Sequence, residues 1–197
     1  APELGRNAVL DMMRVIDSVQ NIVLPEDPFL GKAIFALTDI ISEPYPGNSV
    51  IPSICRVTYD RRVLPGETPE SVLSEITGRT ELQDIRLEAT IGAGEYRAYT
   101  GAVLRCDKFF PAWQVAESDP FISAALGGLH TAGIPAKTHG YRFCTNAAYS
   151  AGIAGIPTLG FGPATEADAH VIDEHLKIDE LMAVAKGYQA IIQAVLQ

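Results

Sequence analysis

A chain of 197 residues of which 47% are apolar has the material for one large or two small domains with a filled core, which excludes a disordered segment. Its formal charge of −9 is spread over both halves without a basic stripe, so the electrostatic footprint of a nucleic-acid partner is missing. The longest apolar stretches, such as Ala151 to Phe161, are short and broken by glycine and proline, unlike a membrane-spanning helix of about 20 apolar residues.

The opening run Ala1-Pro2-Glu3-Leu4-Gly5-Arg6 carries neither a basic leader nor an apolar h-region, which argues against a secretory signal. From Asn7 to Val23, apolar residues at 9, 12, 13, 16, 19 and 23 follow the period of a helix buried on one face. Leu24-Pro25-Glu26-Asp27-Pro28 stops it. Partial alternation over Lys32 to Ile41 predicts a strand, and the prolines and glycine of Glu43-Pro44-Tyr45-Pro46-Gly47 predict a turn. Ser53 to Arg61 reads as a second strand, with Ile54, Arg56, Thr58 and Asp60 on one side and Cys55, Val57, Tyr59 and Arg61 on the other. Alternation alone does not say which side faces a core.

Thr68 is suited to cap a helix that Pro69 begins and whose short apolar face is Val72 to Ile76. Leu82 to Thr100, interrupted at Gly92-Ala93-Gly94, fits either a long bent strand or a hairpin. The first hundred residues are thus compatible with a small antiparallel sheet covered on one face by two helices. Beyond Lys108 to Trp113 the pattern changes. Pro120 to Ala132 is helical and Tyr141 to Cys144 is a short strand candidate. Gly155 to Pro163 reads as a buried central strand emptying into a glycine-shaped loop, where ligand sites collect in α/β sheets. Leu176 to Leu196 closes the chain as an amphipathic helix. The fold class is α/β, with an α+β domain over residues 1–108 followed by part of an α/β domain over 109–197.

Cys55, Cys106 and Cys144 are odd in number and widely spaced in apolar contexts, which predicts reduced core thiols in a cytoplasmic protein and not a disulfide framework. The sharpest chemical signal is Ala169-His170-Val171-Ile172-Asp173-Glu174-His175. His170 follows a glycine-rich run, with Glu166, Asp168, Asp173 and Glu174 close by in sequence. A neutral imidazole there can bind a metal while a carboxylate orients its other nitrogen. A surface salt bridge or cap fits the same pattern. His175 reads as solvent-facing.

Several spaced motifs, in consistent order, carry a resemblance. Thr145-Asn146-Ala147, Gly155 to Pro163 and Ala169 to Glu174 resemble the C-terminal signature of the M20 family of zinc-dependent aminoacylases, deacetylases and peptidases. Ala1 to Ala8, Ser49-Val50-Ile51-Pro52, Asp60-Arg61-Arg62 and Pro65-Gly66-Glu67-Thr68 resemble that family's inserted lid, or dimerisation, domain. Within the family the likeness is to the YgeY-type hydrolases linked to selenium metabolism. Together the motifs cover essentially the whole chain.

The resemblance implies an amidohydrolase whose catalytic domain is split in sequence by the lid. Residues 1–108 would be the lid, lacking its first strand, and residues 109–197 the second catalytic segment. The first segment, which in the family supplies His-x-Asp, a Glu-Glu pair and a further carboxylate ligand, has no counterpart in this sequence. His170 alone matches a family metal ligand, so no catalytic residue is expected in this chain and its parent would bind two Zn2+ per subunit. In that parent a carboxylate would activate a metal-bridging water. Arg62 and Arg61 would shape a substrate-carboxylate site, although each has a carboxylate neighbour, Asp60 or Glu67, for an internal ion pair. Asn146, Gly160 and Gly162 would line the substrate floor, and Thr145, Asp173 and Glu174 would support the ligands. At the Val-Ile-Pro motif, where many relatives carry an asparagine just before Val, this sequence has Ser49, with Asn48 one position earlier.

Expected partners are the missing N-terminal catalytic segment, a second copy paired through the lid, and a small amide or peptide substrate, with no nucleic acid and no membrane. One imidazole cannot hold zinc in the three-ligand-plus-water arrangement that activates water, so the isolated chain is expected to be inactive. The alternative is a non-catalytic half that folds with a complementary chain and serves assembly. A small-molecule binding module built on the Gly160 to Pro163 loop is a third reading, although no dinucleotide or phosphate fingerprint supports it.

Overall fold

The computed structural model describes residues 2–197. The chain forms two compact units, residues 1–112 and 113–197. No helix among the described residues is long and apolar enough to cross a membrane.

The first unit begins with helix α1 (Ala8–Gln20), started by Asn7, whose side chain accepts from the Val9 and Leu10 amides. Val15, Ser18 and Val19 form its buried face, Met13 stays largely exposed, and Val23, expected at the end of the apolar stripe, lies beyond the helix in solvent. The next segment, read as a plain break, contains a small ladder of β1 (Glu26–Asp27) with β2 (Gly31–Lys32). Asp27 organises that turn by accepting from the Phe29 and Leu30 amides.

Strands β3 (Ile34–Glu43) and β4 (Ile54–Arg62) pair antiparallel with an irregularity between Leu37 and Asp39. Along β4, Cys55, Val57, Tyr59 and Arg61 are half-buried and the alternate residues exposed, which settles the face that sequence left open. Burial raises the pKa of the Cys55 thiol and of the Tyr59 phenol. Helix α2 (Pro69–Thr77) starts at a reciprocal cap in which Thr68 and Ser71 each accept the other's amide. Val15, Val19 and Leu82 make the core of this unit, with Phe35, Tyr59, Ile76, Ile85 and Leu87 packed around them.

Beyond Leu82 the expected long strand divides. Ile85 lies in a bend and residues 86–91 in no regular element, whereas β5 (Ala93–Arg97) pairs antiparallel with β6 (Val103–Asp107). Neither a long bent strand nor a hairpin within Leu82 to Thr100 forms; the hairpin observed pairs β5 with a strand beyond residue 100 that the sequence pattern did not reveal. The single sheet expected for this half is replaced by three separate two-stranded sheets.

An exposed ion-pair cluster joins the start of α1 to the segment after Leu82. Arg14 donates from Nη1 (2.8 Å) and Nη2 (2.9 Å) to Asp84, with Arg6 nearby, and holds that carboxyl down at about 2. An unfolded aspartate titrates near ~3.9. Because the folded value is the lower one, this contribution is complete above the unfolded value and is lost as pH falls through the folded value. An NMR acid titration should place the Asp84 transition near 2 in the native protein, and Asp84→Asn should remove it. An unshifted transition would show that the pair does not form in solution.

In the second unit α3 (Pro120–Thr131), capped by Asp119 with Pro120 at its first position, packs against α5 (Ile178–Val195). Ala125, Leu129 and Ile191 form the centre, joined by Ile134, Leu159, Phe161 and Val195. Helix α4 (Ala147–Ser150) is a single turn. Tyr141 to Cys144 and Gly155 to Pro163, both expected as strands, form none. A strand needs a neighbour to satisfy its backbone, and among the described residues none lies alongside either run. The core-thiol expectation also fails for two cysteines, since Cys106 lies on an exposed hairpin and Cys144 in an exposed irregular segment.

Candidate functional site

In the second unit, the chemistry-bearing residues gather on the irregular backbone between α3 and α5. His170 follows a short 3-10 turn, Glu166–Asp168, and is exposed. Its φ of 59° and the φ of 67° at Asp173 lie in the left-handed region, where a side chain is sterically disfavoured and surrounding contacts must hold the backbone. Those contacts are visible. Glu174 accepts from the His170 amide (3.1 Å), and the Asp173 carbonyl meets His175 Nδ1 (3.0 Å). At the front of the loop, Glu180 of α5 accepts from the Ala164 amide (3.1 Å) and pairs with Lys177 (3.1 Å). Glu166 accepts from the Arg142 amide (3.1 Å), which ties the loop to the aromatic segment.

Thr145 Oγ1 accepts from the Ala147 amide (3.2 Å) and so opens the α4 turn, with exposed Asn146 beside it making no capping bond. Gly162 faces open space, and a Cβ there would meet nothing within 4 Å. Gly160 is different. A Cβ at Gly160 would fall well inside the van der Waals envelope of the Tyr141 ring, so its missing side chain makes room for Tyr141. That tyrosine stacks on Phe143 at 4.8 Å and meets His139 edge-on at 5.2 Å. Burial first, then Tyr188 and Glu166, push its phenol upward. Tyr188 donates its hydroxyl to the Phe161 carbonyl. Sequence reasoning missed Tyr141, Tyr188 and Glu180 as groups that shape this region, and read Glu166 only as a carboxylate close to His170. The signals were present only as a glycine and a tyrosine 19 positions apart and as acids in an acidic stretch.

In the first unit the two neighbouring arginines differ. Arg61, with 8% of its side chain exposed, pairs with Glu67 and Glu75 and lies over the Phe35 ring at 5.2 Å. Arg62, 45% exposed, pairs with Asp60 at 3.0 Å and keeps much of its guanidinium in solvent.

His170, Asp173 and Glu174 share one loop, whereas no group of three or more His, Cys, Asp or Glu is arranged to hold a metal ion among the described residues. The donor set of this chain therefore does not by itself fit a zinc centre, which takes three or four protein ligands. What the segment offers is two exposed imidazoles, His170 and His175, on a braced loop, and an open backbone at Gly162.

Comparison with known proteins bears on both units. Residues 1–84 match the M20 family's peptidase dimerisation domain. The chain is 32% identical to the uncharacterised protein YgeY of Escherichia coli strain K12 over 97% of its own length and 48% of YgeY, with the same figures for YgeY of Escherichia coli O157:H7. It is 27% identical to the N-formyl-4-amino-5-aminomethyl-2-methylpyrimidine deformylase of Halalkalibacterium halodurans, over 93% of this chain and 45% of that protein. The chain thus spans about half the length of the curated relatives it matches. The front of the chain thus matches the M20 family's dimerisation domain, and almost all of the chain is similar in sequence to YgeY.

Proposed function

We propose that this chain is the lid and C-terminal catalytic segment of a zinc-dependent hydrolase that cleaves an amide or peptide C–N bond. The observation that carries the reading is the joint similarity: a peptidase dimerisation domain at the front and YgeY-like sequence through almost all of the rest. Deformylation, the reaction named for the Halalkalibacterium halodurans relative, is cleavage of an amide of this kind. In the assembled protein His170 is the one metal ligand from this chain, carried on a loop that Glu174 and Glu180 brace. Arg62, with its exposed guanidinium, is the group suited to grip a substrate carboxylate, because its planar fork matches two carboxylate oxygens. Asn146 and Gly162 supply an exposed amide and an open backbone. The protein works in the cytoplasm as a homodimer. Its dimer contact is the β3 edge, where Ile34, Leu37, Ile40 and Ile41 are exposed, since an apolar edge strand of this kind invites a second strand.

The test compares the 197-residue chain with a polypeptide that restores its upstream sequence. The longer protein should bind zinc, sediment as a dimer and hydrolyse an N-acyl amino acid or N-formyl amine. His170→Ala should weaken zinc binding at that site and lower turnover by more than the about 10–100-fold lost when only a ligand's hydrogen-bonded support is removed. The short chain should turn over neither substrate. Zinc-dependent, chelator-sensitive turnover by the short chain would refute its assignment as one part of the catalytic unit. A longer protein that binds no metal and cleaves neither class would favour the non-catalytic assembly role.

A further inference from the structure

We infer that Phe143 is a platform on which a planar ring of the substrate stacks, so that the amide this protein cleaves belongs to an aryl or heteroaryl compound. Calling that compound the substrate rests on the hydrolase reading, whereas the ring-binding surface rests on the geometry of this unit alone.

His139, Tyr141 and Phe143 hold alternate positions of the irregular segment before α4. Their rings form a column. His139 meets Tyr141 edge-on at 5.2 Å, and Tyr141 lies against Phe143 at 4.8 Å with 17° between the ring planes. Separations of this size are those of attractive aromatic pairs. The column is anchored at its middle, where half-buried Tyr141 fills the space that a side chain at Gly160 would need. Next to it, the Arg142 amide donates to Glu166 at 3.1 Å.

Phe143 is the outer end of the column. Tyr141 takes one face of its ring, yet the residue remains 45% exposed, so the open surface is the other face and the ring edge. A lone exposed phenylalanine needs no explanation. One whose plane is set by a half-buried neighbour offers a flat guest a surface already oriented, and little side-chain order has to be acquired on binding.

The polar neighbours define the guest further. Asn146, three residues on, is exposed and makes no capping bond. Three residues of chain reach at most ~11 Å, so one small molecule can lie on Phe143 and meet that carboxamide. Glu166, which holds the Arg142 amide, precedes His170 by four positions, and this ties the ring platform to the imidazole-bearing loop. The guest is therefore a flat ring bearing an amide or a similar hydrogen-bonding group. A saturated ring of equal size is puckered and touches a flat face over less area.

Benzamide and cyclohexanecarboxamide carry the same amide on a flat and a puckered ring. Neither needs zinc or hydrolysis to bind, so failure here leaves the hydrolase reading standing, and an inactive longer protein leaves the ring surface standing. Titrated into the 197-residue chain and followed by NMR, benzamide should bind about 2- to 10-fold more tightly, the range of a stacked aromatic pair. Burial of apolar area alone favours the opposite order, because the saturated ring is the more hydrophobic. The resonances that move should include the Phe143 ring and the Asn146 side-chain amide. Phe143→Leu should abolish the preference and Phe143→Tyr should keep it, while Tyr149→Leu, which removes another exposed aromatic ring, should leave it unchanged. Equal binding of the two amides to the native chain, a preference that survives Phe143→Leu, or movements confined to other residues would each overturn the assignment.

Discussion

Replacing Arg61 by methionine should lower the unfolding free energy of the first unit by about 3–5 kcal/mol, the usual cost of stranding a buried charge. Arg61 and Glu67 have side-chain exposures of 8% and 13%, and Glu75 approaches the same guanidinium at 3.3 Å. Glu67 also accepts the Leu64 amide at 2.6 Å, so one carboxylate joins β4 to the loop that starts α2. Methionine fills much of the volume over Phe35 but leaves Glu67 without its cation in a site that excludes water. Arg61 Nε and Nη1 make no hydrogen bond, so the cost comes from the stranded acid more than from lost arginine bonds. The double change Arg61→Met with Glu67→Gln should therefore recover about half of the loss or more. Urea unfolding of the three proteins decides the point, and a single variant within about 1 kcal/mol of the native protein would refute the clamp. Arg62 is the control: its exposed pair with Asp60 belongs to the class worth about 0–1 kcal/mol.

Gly128→Ala is the corresponding lesion in the second unit. In an exposed helix this change gains about 1 kcal/mol from propensity. At Gly128 the added Cβ would lie 2.6 Å from the Ala190 carbonyl oxygen and 2.8 Å from the Ala194 Cβ. The first of those atoms is backbone within α5 and cannot swing aside, so α3 and α5 must part. Overpacking of this kind costs about 1–3 kcal/mol, and the sum is a net loss. The fluorescence of Trp113, the only tryptophan in the chain, reports the unit in which it lies. Its denaturation midpoint should fall in Gly128→Ala and not in Gly127→Ala, where a Cβ meets nothing within 4 Å. A midpoint that rises in Gly128→Ala would show that the helices can separate without penalty.

The elements legible in the sequence are those set by local chemistry. Asn7 and Thr68 announce helix starts because their oxygens satisfy amides two or three residues ahead. The alternation of β4 survives because its partner, β3, precedes it across a proline-containing connection and pairs along nearly its whole length. Tyr141 to Cys144 and Gly155 to Pro163 fail for the opposite reason, since an apolar run becomes a strand only when another lies beside it. Cys106 shows the same limit: its apolar neighbours suggest a core, yet the β5–β6 hairpin leaves every residue of β6 exposed. At the site, His170 and its acidic neighbours were readable as a motif. The need of Gly160 for the Tyr141 ring is a fact of packing, and no spacing rule encodes it.

The small residues where α3 meets α5 also act as a phase lock. Gly128 lies against Ala190 and Ala194, and Gly187 against Phe161 and Leu129, so the two helices mesh at only one rotation of α5 about its axis. Glu180, on the first turn of that helix, holds the Ala164 amide at the head of the His170 loop. Each helical residue turns the chain by about 100°. A single residue inserted between Glu180 and Gly187 would swing Glu180 away from Ala164 while the downstream contacts kept their register. The azimuth of α5, metered by glycines and alanines far along the helix, thus sets where the imidazole-bearing loop is tethered.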